Sequence, residues 1–253
     1  MKNFKDINVK EVKEDDSPVH PRQNILLDLM YKKELSFNQL WRKQGRSNNF
    51  AYHVKKLEEE GFIKKVNGKF KLTIKGKKRV AYLESMTGNR LEQPITAVIM
   101  VIQEKDKILM LNRTKEPFHG YWGVHGGKLK STNYILKQAE ESILEETGLT
   151  CQLELKGLFS SRSYLNEELS YGHQLFVVKA SKPKGKLLEK TKKGQNKWFK
   201  KTEIKKLHIL PSVKHLLEIV ESKHFRWIEA DRFQEDIIED QFKRTKVLRN
   251  ETI

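Results

Sequence analysis

The feature that most constrains the fold of this chain is a glycine pair followed by a short polar stretch and an acidic helix. Gly126 and Gly127 close an irregular segment rich in glycine and aromatic residues, and the spacing of apolar residues predicts a helix over about 132–147. Apolar runs typical of strands lie on both sides of this segment. The predicted strands cover 95–103, 107–112, 152–160, 172–180 and the region near 196–199. The pattern predicts a mixed α/β domain.

The same segment resembles the signature of the Nudix family. That family's box reads G-x5-E-x7-R-E-U-x-E-E-x-G-U, where U is aliphatic, and Glu145-Glu146-Thr147-Gly148-Leu149 matches its end. This match places the first glycine at Gly127. Trp122–Leu129 resembles the usual lead-in, and Lys197-Trp198-Phe199 followed by Glu203-Ile204 and Leu207 resembles the closing strand and helix. The resemblance covers about 94–222 and implies a Nudix α/β/α sandwich with a mixed sheet.

The resemblance also implies a metal site on the box helix. Nudix enzymes hydrolyse a nucleoside diphosphate linked to another group, and they hold Mg²⁺ or Mn²⁺ on glutamates of this helix, which neutralises developing charge. The implied ligands here are the carbonyl of Gly127 with Glu145 and Glu146, and the two glutamates are the catalytic residues if the chain is active. Arg113, Lys128 and Arg162 are candidates for contact with the ligand's phosphates. Trp122 could stack on the ligand's base or pack in the core.

Three positions inside the box depart from the family pattern. Asn133 replaces the first glutamate, Glu141 replaces the arginine, and Ser142 replaces the next glutamate, which is commonly a metal ligand. Because Glu141 and Glu145 are four residues apart on one helix face, they repel each other unless a cation lies between them. Glu141 could therefore be a displaced metal ligand, or it could simply be solvated. We expect metal binding to be weak or absent.

The first third of the chain predicts three helices followed by a two-stranded hairpin, over residues 20–88. Ser36 and Ser47 are the predicted N-caps of the second and third helices, and Gly61 is the predicted end of the third. Asn67-Gly68 is a strong signal for a hairpin turn. This order of elements resembles the winged helix-turn-helix of bacterial and archaeal regulators.

In a winged helix the third helix enters the major groove of double-stranded DNA, and small polar or basic residues at its exposed N-terminal part contact the bases. The candidate DNA-binding residues are Ser47, Asn48, Asn49, Tyr52, His53, Lys55, Lys56, Lys64, Lys65 and Lys69. The alternative is a winged helix used for protein contact or dimerisation. The three glutamates at 58–60 would repel DNA if they faced the groove.

The remaining segments are a charged N-terminal arm (1–19) and a C-terminal extension (223–253). A helix is predicted over 230–244. Six apolar positions of the extension could form a dimer helix or fold back on the Nudix core; they are Phe225, Ile228, Phe233, Ile237, Ile238 and Phe242. Operators usually contain two half-sites, so we expect a homodimer. The longest apolar run, Ala97–Ile102, is too short to span a membrane.

Charge and cysteine content favour a nucleic-acid or nucleotide partner in a reducing compartment. The formal net charge is +17, which suits a polyanion, and the single cysteine, Cys151, favours a cytoplasmic location. A winged helix joined to a Nudix domain resembles transcription regulators in which the Nudix module senses a nucleotide-like metabolite. The sequence therefore predicts a ligand-responsive DNA-binding regulator, and the alternative is a Mg²⁺- or Mn²⁺-dependent Nudix hydrolase with an accessory winged helix.

Overall fold

The computed structural model describes residues 21–42, 46–83, 93–115, 118–234 and 244–253. The chain separates into two compact units, residues 1–92 and 93–253. The predicted arm, residues 1–19, lies outside the described residues. Among the helices that are described, none has the length and apolar character needed to cross a lipid bilayer.

The first unit alternates short helices with a three-stranded sheet of order β1-β3-β2. Its elements are α1 (Pro21–Tyr31), β1 (Leu35–Ser36), α2 (Phe37–Trp41), α3 (Ser47–Glu59), β2 (Ile63–Val66), β3 (Lys69–Leu72) and α4 (Ile74–Val80). Its core is a single cluster in which Ile25, Leu57 and Ile63 are almost fully buried. The predicted three helices and hairpin are thus present in order, the helix that residues 75–86 predict after the hairpin begins as α4, and β1 is a further short element.

Two of the predicted helix ends in this unit are correct and one is wrong. Ser36 caps α2, because its side chain accepts from the backbone of Gln39 while the Gln39 side chain accepts from the Ser36 backbone. Gly61 has a φ of 74° and follows the end of α3, where the Phe62 N–H bonds the Leu57 carbonyl at 2.9 Å. The predicted cap at Ser47 is wrong. Ser47 is the first helical residue, and the cap position before it is Arg46, whose side chain makes no capping bond.

The turn of the hairpin follows the prediction. Asn67 and Gly68 both have positive φ, at 50° and 73°, which is the conformation that a two-residue turn between right-twisted strands requires. It joins β2 to β3 with Val66 opposite Lys69.

The second unit is built on a ten-stranded mixed sheet. Its order is β10-β11-β5-β4-β9-β8-β12-β13, with β6 paired to β5 and β7 paired to β4. The strands are β4 (Ile95–Glu104), β5 (Lys107–Arg113), β6 (Trp122–Gly123), β7 (His125–Lys128), β8 (Leu149–Leu165), β9 (Glu168–Gly185), β10 (Lys190–Thr191), β11 (Gly194–Lys200), β12 (Arg226–Gln234) and β13 (Arg244–Thr252). The helices are α5 (Ile135–Thr147), α6 (Lys201–Ile204) and α7 (Val213–Glu221).

One helix covers each face of this sheet. Because side chains alternate along a strand, Val98, Met100 and Ile102 of β4 pack with α5 on one face. Ala97 and Val101 of the same strand pack with α7 on the other. The result is an α/β/α sandwich with a mixed sheet, as the sequence predicts.

The predicted C-terminal helix is wrong over the described part of its range, residues 230–234 and 244, and its remainder, 235–243, lies outside the described residues. Residues 226–234 form β12, which runs parallel to β8, and residues 244–252 form β13, which pairs with β12. Ile228 is fully buried in the sheet core, and Phe233 stacks on Tyr164 with ring centroids 5.1 Å apart. These two residues fold back on the Nudix core and do not form a dimer helix. Ile237, Ile238 and Phe242 lie outside the described residues.

The Lys/Gly-rich stretch 182–194, which its composition indicates to be a solvated loop, is more ordered than that. β9 continues to Gly185, Leu187 packs against the core on the α5 face, and the Leu188 N–H bonds the carbonyl of Thr147 at 2.8 Å. The segment therefore runs along the C-terminal end of α5 and returns as β11. This path brings its lysines close to the box helix.

Candidate functional site

The box helix α5 divides the residues of the signature between a buried and an exposed side. It begins at Ile135, three residues later than predicted, and ends at Thr147, where Gly148, with a φ of 71°, is the C-cap. Ser142 and Glu146, four residues apart, are 6% and 4% exposed, whereas Glu141 and Glu145 are exposed. Of the predicted metal-binding carboxylates, only Glu146 is buried within the domain.

Glu146 is paired with a lysine from a distant part of the chain. Its Oε1 accepts a hydrogen bond from Lys193 Nζ, and the Lys193 side chain is 49% exposed. Burial raises the pKa of Glu146 above its ordinary value, and the neighbouring ammonium opposes that rise. Glu146 Oε2 is also buried, and no described residue donates to it.

A buried polar network fixes the main chain around Glu146. Asn196 on β11 donates from its amide nitrogen to the carbonyls of Glu146, at 2.8 Å, and Leu188, at 2.7 Å. Its Oδ1 lies 3.0 Å from Nε2 of His125. Because the amide nitrogen is a donor, Oδ1 is the acceptor, and Nε2 of His125 carries the hydrogen. Burial lowers the pKa of His125 to about 4, so its ring is neutral at pH 7.

This network joins three elements of the domain, which are the glycine strand β7, the end of the box helix α5, and β11. His125 precedes Gly126 and Gly127 on β7, which pairs with β4, and Glu146 lies in the last turn of α5. Asn196 therefore joins the glycine strand, β11 and the end of the helix through hydrogen bonds that are shielded from water.

The three unusual residues of the box are engaged with neighbours. Asn133 donates to Glu141 Oε2 at 2.8 Å, so two of the altered positions contact each other. Ser142 accepts from Gln138 Nε2 at 3.0 Å within the buried side of the helix. Glu141 also lies 4.0 Å from Lys137. The predicted repulsion between Glu141 and Glu145 is thus moderated by an amide donor and an ammonium.

These contacts leave a donor set that does not fit a divalent metal. Mg²⁺ requires several hard oxygen ligands in near-octahedral array. Here Ser142 replaces a glutamate that is commonly a metal ligand in the family, and Glu141 is turned to Asn133. The Glu146 carboxylate already holds an ammonium, and Glu145 lies on the exposed side of the helix. No group of three or more His, Cys, Asp and Glu side chains within the described ranges is arranged to hold a metal ion. A metal bound to Oε2 of Glu146, which has no hydrogen-bond donor among the described residues, would lie beside the Lys193 ammonium on Oε1 of the same carboxylate.

The predicted phosphate- and base-contact residues are spread over the domain. Arg162 on β8 makes a two-pronged ion pair with Asp231 at 2.9 and 3.2 Å. Trp122 packs edge-on against Phe199, with centroids 4.8 Å apart, at the core beneath α7. Arg113 ends β5 opposite Gly194, next to Lys193, and Lys128 is exposed at the end of β7. Arg113 therefore pairs in the sheet with the residue that follows Lys193.

The candidate DNA-binding residues are displayed by α3 and the hairpin. Ser47, Asn48, Asn49, Tyr52 and Lys55 are exposed on α3, as are Lys64, Lys65 and Lys69 on the strands, while His53 and Lys56 are partly buried. Lys56 is paired with Glu59 at 2.8 Å, and Lys69 with Glu34 at 2.9 Å. These two lysines are therefore less available to phosphate than Lys64 and Lys65.

The three glutamates at the end of α3 are each engaged within the unit. Glu58 accepts from the backbone N–H of Lys65 at 3.2 Å, Glu59 pairs with Lys56, and Glu60 pairs with Arg22 at 3.0 Å. They lie at the C-terminal end of the helix. Ser47, Asn48 and Asn49 lie at its other end, away from the acidic group, whereas Lys55 lies beside it, 3.8 Å from Glu59.

Sequence reasoning missed Lys193 and Asn196. Lys193 is one of many lysines in its stretch, and nothing in its local sequence distinguishes it. Asn196 did carry a signal, because asparagine is depleted in strands and lies here in a predicted one. A polar residue that sits in a buried strand needs hydrogen-bond partners, which is the role that the structure gives it.

The mixed sheet between α5 and α7, with a glycine strand leading into an acidic helix, is the Nudix type of α/β/α sandwich. The sequence matches the family model of the NUDIX domain over residues 92–232, more than half of the chain. The chain belongs to the Nudix family, whose members generally use divalent metals such as Mg²⁺ or Mn²⁺.

Solved structures with the same fold come from several bacteria. The mutator MutT protein from Bacillus halodurans is 22% identical, with a TM-score of 0.52 over 60% of this chain and 97% of that one. A MutT NUDIX hydrolase from Burkholderia pseudomallei is 21% identical, with a TM-score of 0.44 over 51% of this chain and 99% of that one. The NUDIX domain of Shewanella oneidensis NrtR, crystallised with ADP ribose, is 16% identical, with a TM-score of 0.43 over 51% and 88%.

We expect the second unit to lose stability between pH 7 and pH 5, in part through His173. Burial, with Arg232 and Lys128 nearby, lowers the pKa of His173 to about 4. Between that value and the ordinary 6.5 the unfolded chain binds more protons, so stability falls as pH falls. Because His173 is only partly buried, solvent screening reduces its share to about 1 kcal/mol by pH 5. Urea unfolding at both pH values should show that His173→Gln loses this much less than the parent. The exposed His119→Gln is the control, and equal losses in all three proteins would contradict the assignment.

Proposed function

We propose that this chain is a ligand-responsive DNA-binding transcription regulator. Its N-terminal unit is a winged helix-turn-helix over residues 20–88, and its Nudix domain, over 94–222, senses a nucleotide-like metabolite. The observation that carries the proposal is the state of the box helix. Three box positions are replaced, at Asn133, Glu141 and Ser142, and the buried carboxylate of Glu146 is paired with Lys193, while the sandwich around them is intact.

A domain in this state suits binding better than hydrolysis. Hydrolysis in this family depends on a metal that neutralises charge and activates water, and the buried carboxylate here is already neutralised by Lys193. The fold still presents a glycine strand beside the box helix, and there is open space next to Gly127. Such a domain can keep a nucleotide-shaped pocket without the catalytic arrangement.

The first unit supplies the second half of the proposal. The exposed N-terminal half of α3 carries Asn48, Asn49 and Tyr52, and the hairpin carries Lys64 and Lys65. Asparagine can form two hydrogen bonds with adenine in the major groove, and lysines of the wing suit phosphate contacts. The net charge of +17 favours the same partner. A homodimer would match an operator with two half-sites.

A gel-shift experiment tests this function. The full chain is incubated with a duplex from its own promoter region at about 50 and about 200 mM salt, a range over which phosphate contacts weaken strongly. We expect a shift at low salt that declines at high salt and that changes when ADP-ribose or NAD is added. The absence of any salt-sensitive shift would contradict DNA binding. A shift that no nucleotide alters would contradict the sensing role.

The second candidate is a Nudix hydrolase with an accessory winged helix. It is favoured by the retention of Gly127, Glu145 and Glu146 at the family positions, although a metal there would have to displace Lys193. The test is a substrate panel of ADP-ribose, NAD, diadenosine polyphosphates and nucleoside triphosphates with Mg²⁺ or Mn²⁺. Turnover no greater than that of the double variant Glu145→Gln, Glu146→Gln would exclude this candidate.

A further inference from the structure

The carboxylate of Glu146 already has a positively charged partner inside the protein. Lys193 Nζ donates to Glu146 Oε1 although the two residues are 47 positions apart in sequence. Glu146 is 4% exposed, so its charge is removed from water and needs compensation nearby. Among the described residues, the ammonium of Lys193 is the group that is ion-paired with this carboxylate.

The turn that carries Lys193 is fixed by its own contacts. The backbone N–H of Lys193 bonds Thr191 Oγ1 at 3.2 Å, and its carbonyl accepts from the N–H of Thr114 at 3.2 Å. Gly194 follows with a φ of 143°, and a Cβ there would lie 1.8 Å from the carbonyl oxygen of Asn112. The chain can pass this close to β5 only as glycine. Lys193 is therefore held at the start of β11, beside the end of α5.

Binding of a divalent metal to this carboxylate is electrostatically unfavourable while Lys193 is paired with it. Like charges near one acidic group repel each other, and burial strengthens that repulsion because little water screens it. The family's second carboxylate on the buried side is absent, since Ser142 stands there and bonds Gln138. One carboxylate with one ammonium is neutral, whereas the same pair with a divalent ion would carry excess positive charge.

We propose that Lys193 is the resident cation of the Nudix box in this chain, occupying the place beside Glu146 that a divalent metal would take, so that the site does not bind Mg²⁺ or Mn²⁺. This goes beyond the proposed function, because it holds whether or not the chain binds DNA. The consequence for recognition is chemical. A phosphate ligand that reaches this site meets an ammonium that is half exposed and has N–H donors left over, and it does not meet a hydrated metal.

The test is a calorimetric titration of the full chain with Mn²⁺. Four proteins are compared: the parent, Lys193→Met, Lys192→Met as the matched control on the same turn, and the double variant Lys193→Met, Glu146→Gln. We expect no saturable binding tighter than about 1 mM in the parent and the control, and at least about tenfold tighter binding in Lys193→Met. The double variant should lose that gain, which would locate the bound metal at Glu146.

A thermal-unfolding measurement without metal supplies a second readout. Lys193→Met should unfold at a lower temperature than Lys192→Met, because it leaves Glu146 buried without a counterion, and adding Mn²⁺ should restore part of the loss. The double variant should not show the loss. If Lys193→Met does not fold, Lys193→Gln keeps a polar side chain of similar length, and the same gain in metal binding is expected. Sub-millimolar Mn²⁺ binding by the parent that Glu146→Gln abolishes would overturn the proposal, as would the lack of any gain in both Lys193 variants.

Discussion

Replacing Asn196 with alanine is expected to lower the free energy of unfolding of the second unit by about 4 kcal/mol. The substitution leaves three groups without their partner: the Nε2–H of His125 and the carbonyls of Glu146 and Leu188. Each buried polar group that loses its hydrogen bond destabilises a fold by about 1–3 kcal/mol. Asn196 is 3% exposed, so water does not readily replace the lost amide. Urea unfolding followed by circular dichroism measures the change.

The neighbouring Gln195 provides the control for this experiment. Its side chain is exposed on the same strand, so Gln195→Ala should change the free energy of unfolding by less than about 0.5 kcal/mol. A loss below about 1 kcal/mol in Asn196→Ala would mean that the network has little energetic weight. In that case, His125 and Asn196 could not be said to hold the glycine strand against the box helix.

Reversing the charge of two lysines in the hairpin is expected to weaken DNA binding at least tenfold and to flatten its salt dependence. Lys64 and Lys65 are exposed on β2, and each phosphate contact contributes about 0.9 to the slope of log affinity against log salt. The double variant Lys64→Glu, Lys65→Glu should therefore reduce the slope by about 2. Fluorescence anisotropy with a labelled duplex, repeated over a series of salt concentrations, gives both quantities.

The control for the charge reversal is Lys205→Glu, Lys206→Glu. These are also two adjacent, exposed lysines, but they follow α6 in the second unit, so the change in net charge is identical. If the affinity depends only on net charge, both variants will weaken binding equally, and the hairpin will have no special role. A loss confined to the hairpin variant supports its contact with DNA.

Local sequence predicted the elements whose cause is local. The N-cap at Ser36, the Asn67-Gly68 turn and the box helix depend on residues a few positions apart, and each forms, although the box helix begins three residues later than predicted. The Nudix sandwich itself was predictable because its signature spans a strand, a turn and a helix in fixed register. Ser47 shows the limit of such rules, since serine is common at the N-cap position but does not have to occupy it.

The C-terminal extension was mispredicted because its apolar spacing is ambiguous. Phe225, Ile228 and Phe233 suggest helical periodicity, but Ile228, Ala230 and Arg232 alternate, and this alternation places all three on the buried side of β12. The segment forms a strand because β8 offers it a parallel partner from Gly157 to Leu165. Such a long-range partner cannot be read from the extension itself.

The candidate site was predictable in position but not in chemistry. The box placed Gly127, Glu145 and Glu146, and the departures at Asn133, Glu141 and Ser142 were visible in the sequence. Their new partners were not all visible. Asn133 donates to Glu141 from just before the helix, only eight residues away, but the Lys193 pair depends on the path of a distant segment.

The two edges of the large sheet differ in how much unpaired backbone they offer for pairing with a strand of another chain. At one edge, β10 is only two residues long and offers almost no unpaired backbone. At the other, β13 is nine residues long and eight of them are exposed, among them Val247 and Leu248, whose neighbours Lys246 and Arg249 are charged. Charged side chains on a long edge strand discourage pairing with a further strand. Concentrated salt weakens that protection, so any self-association of this domain through its backbone would begin at β13.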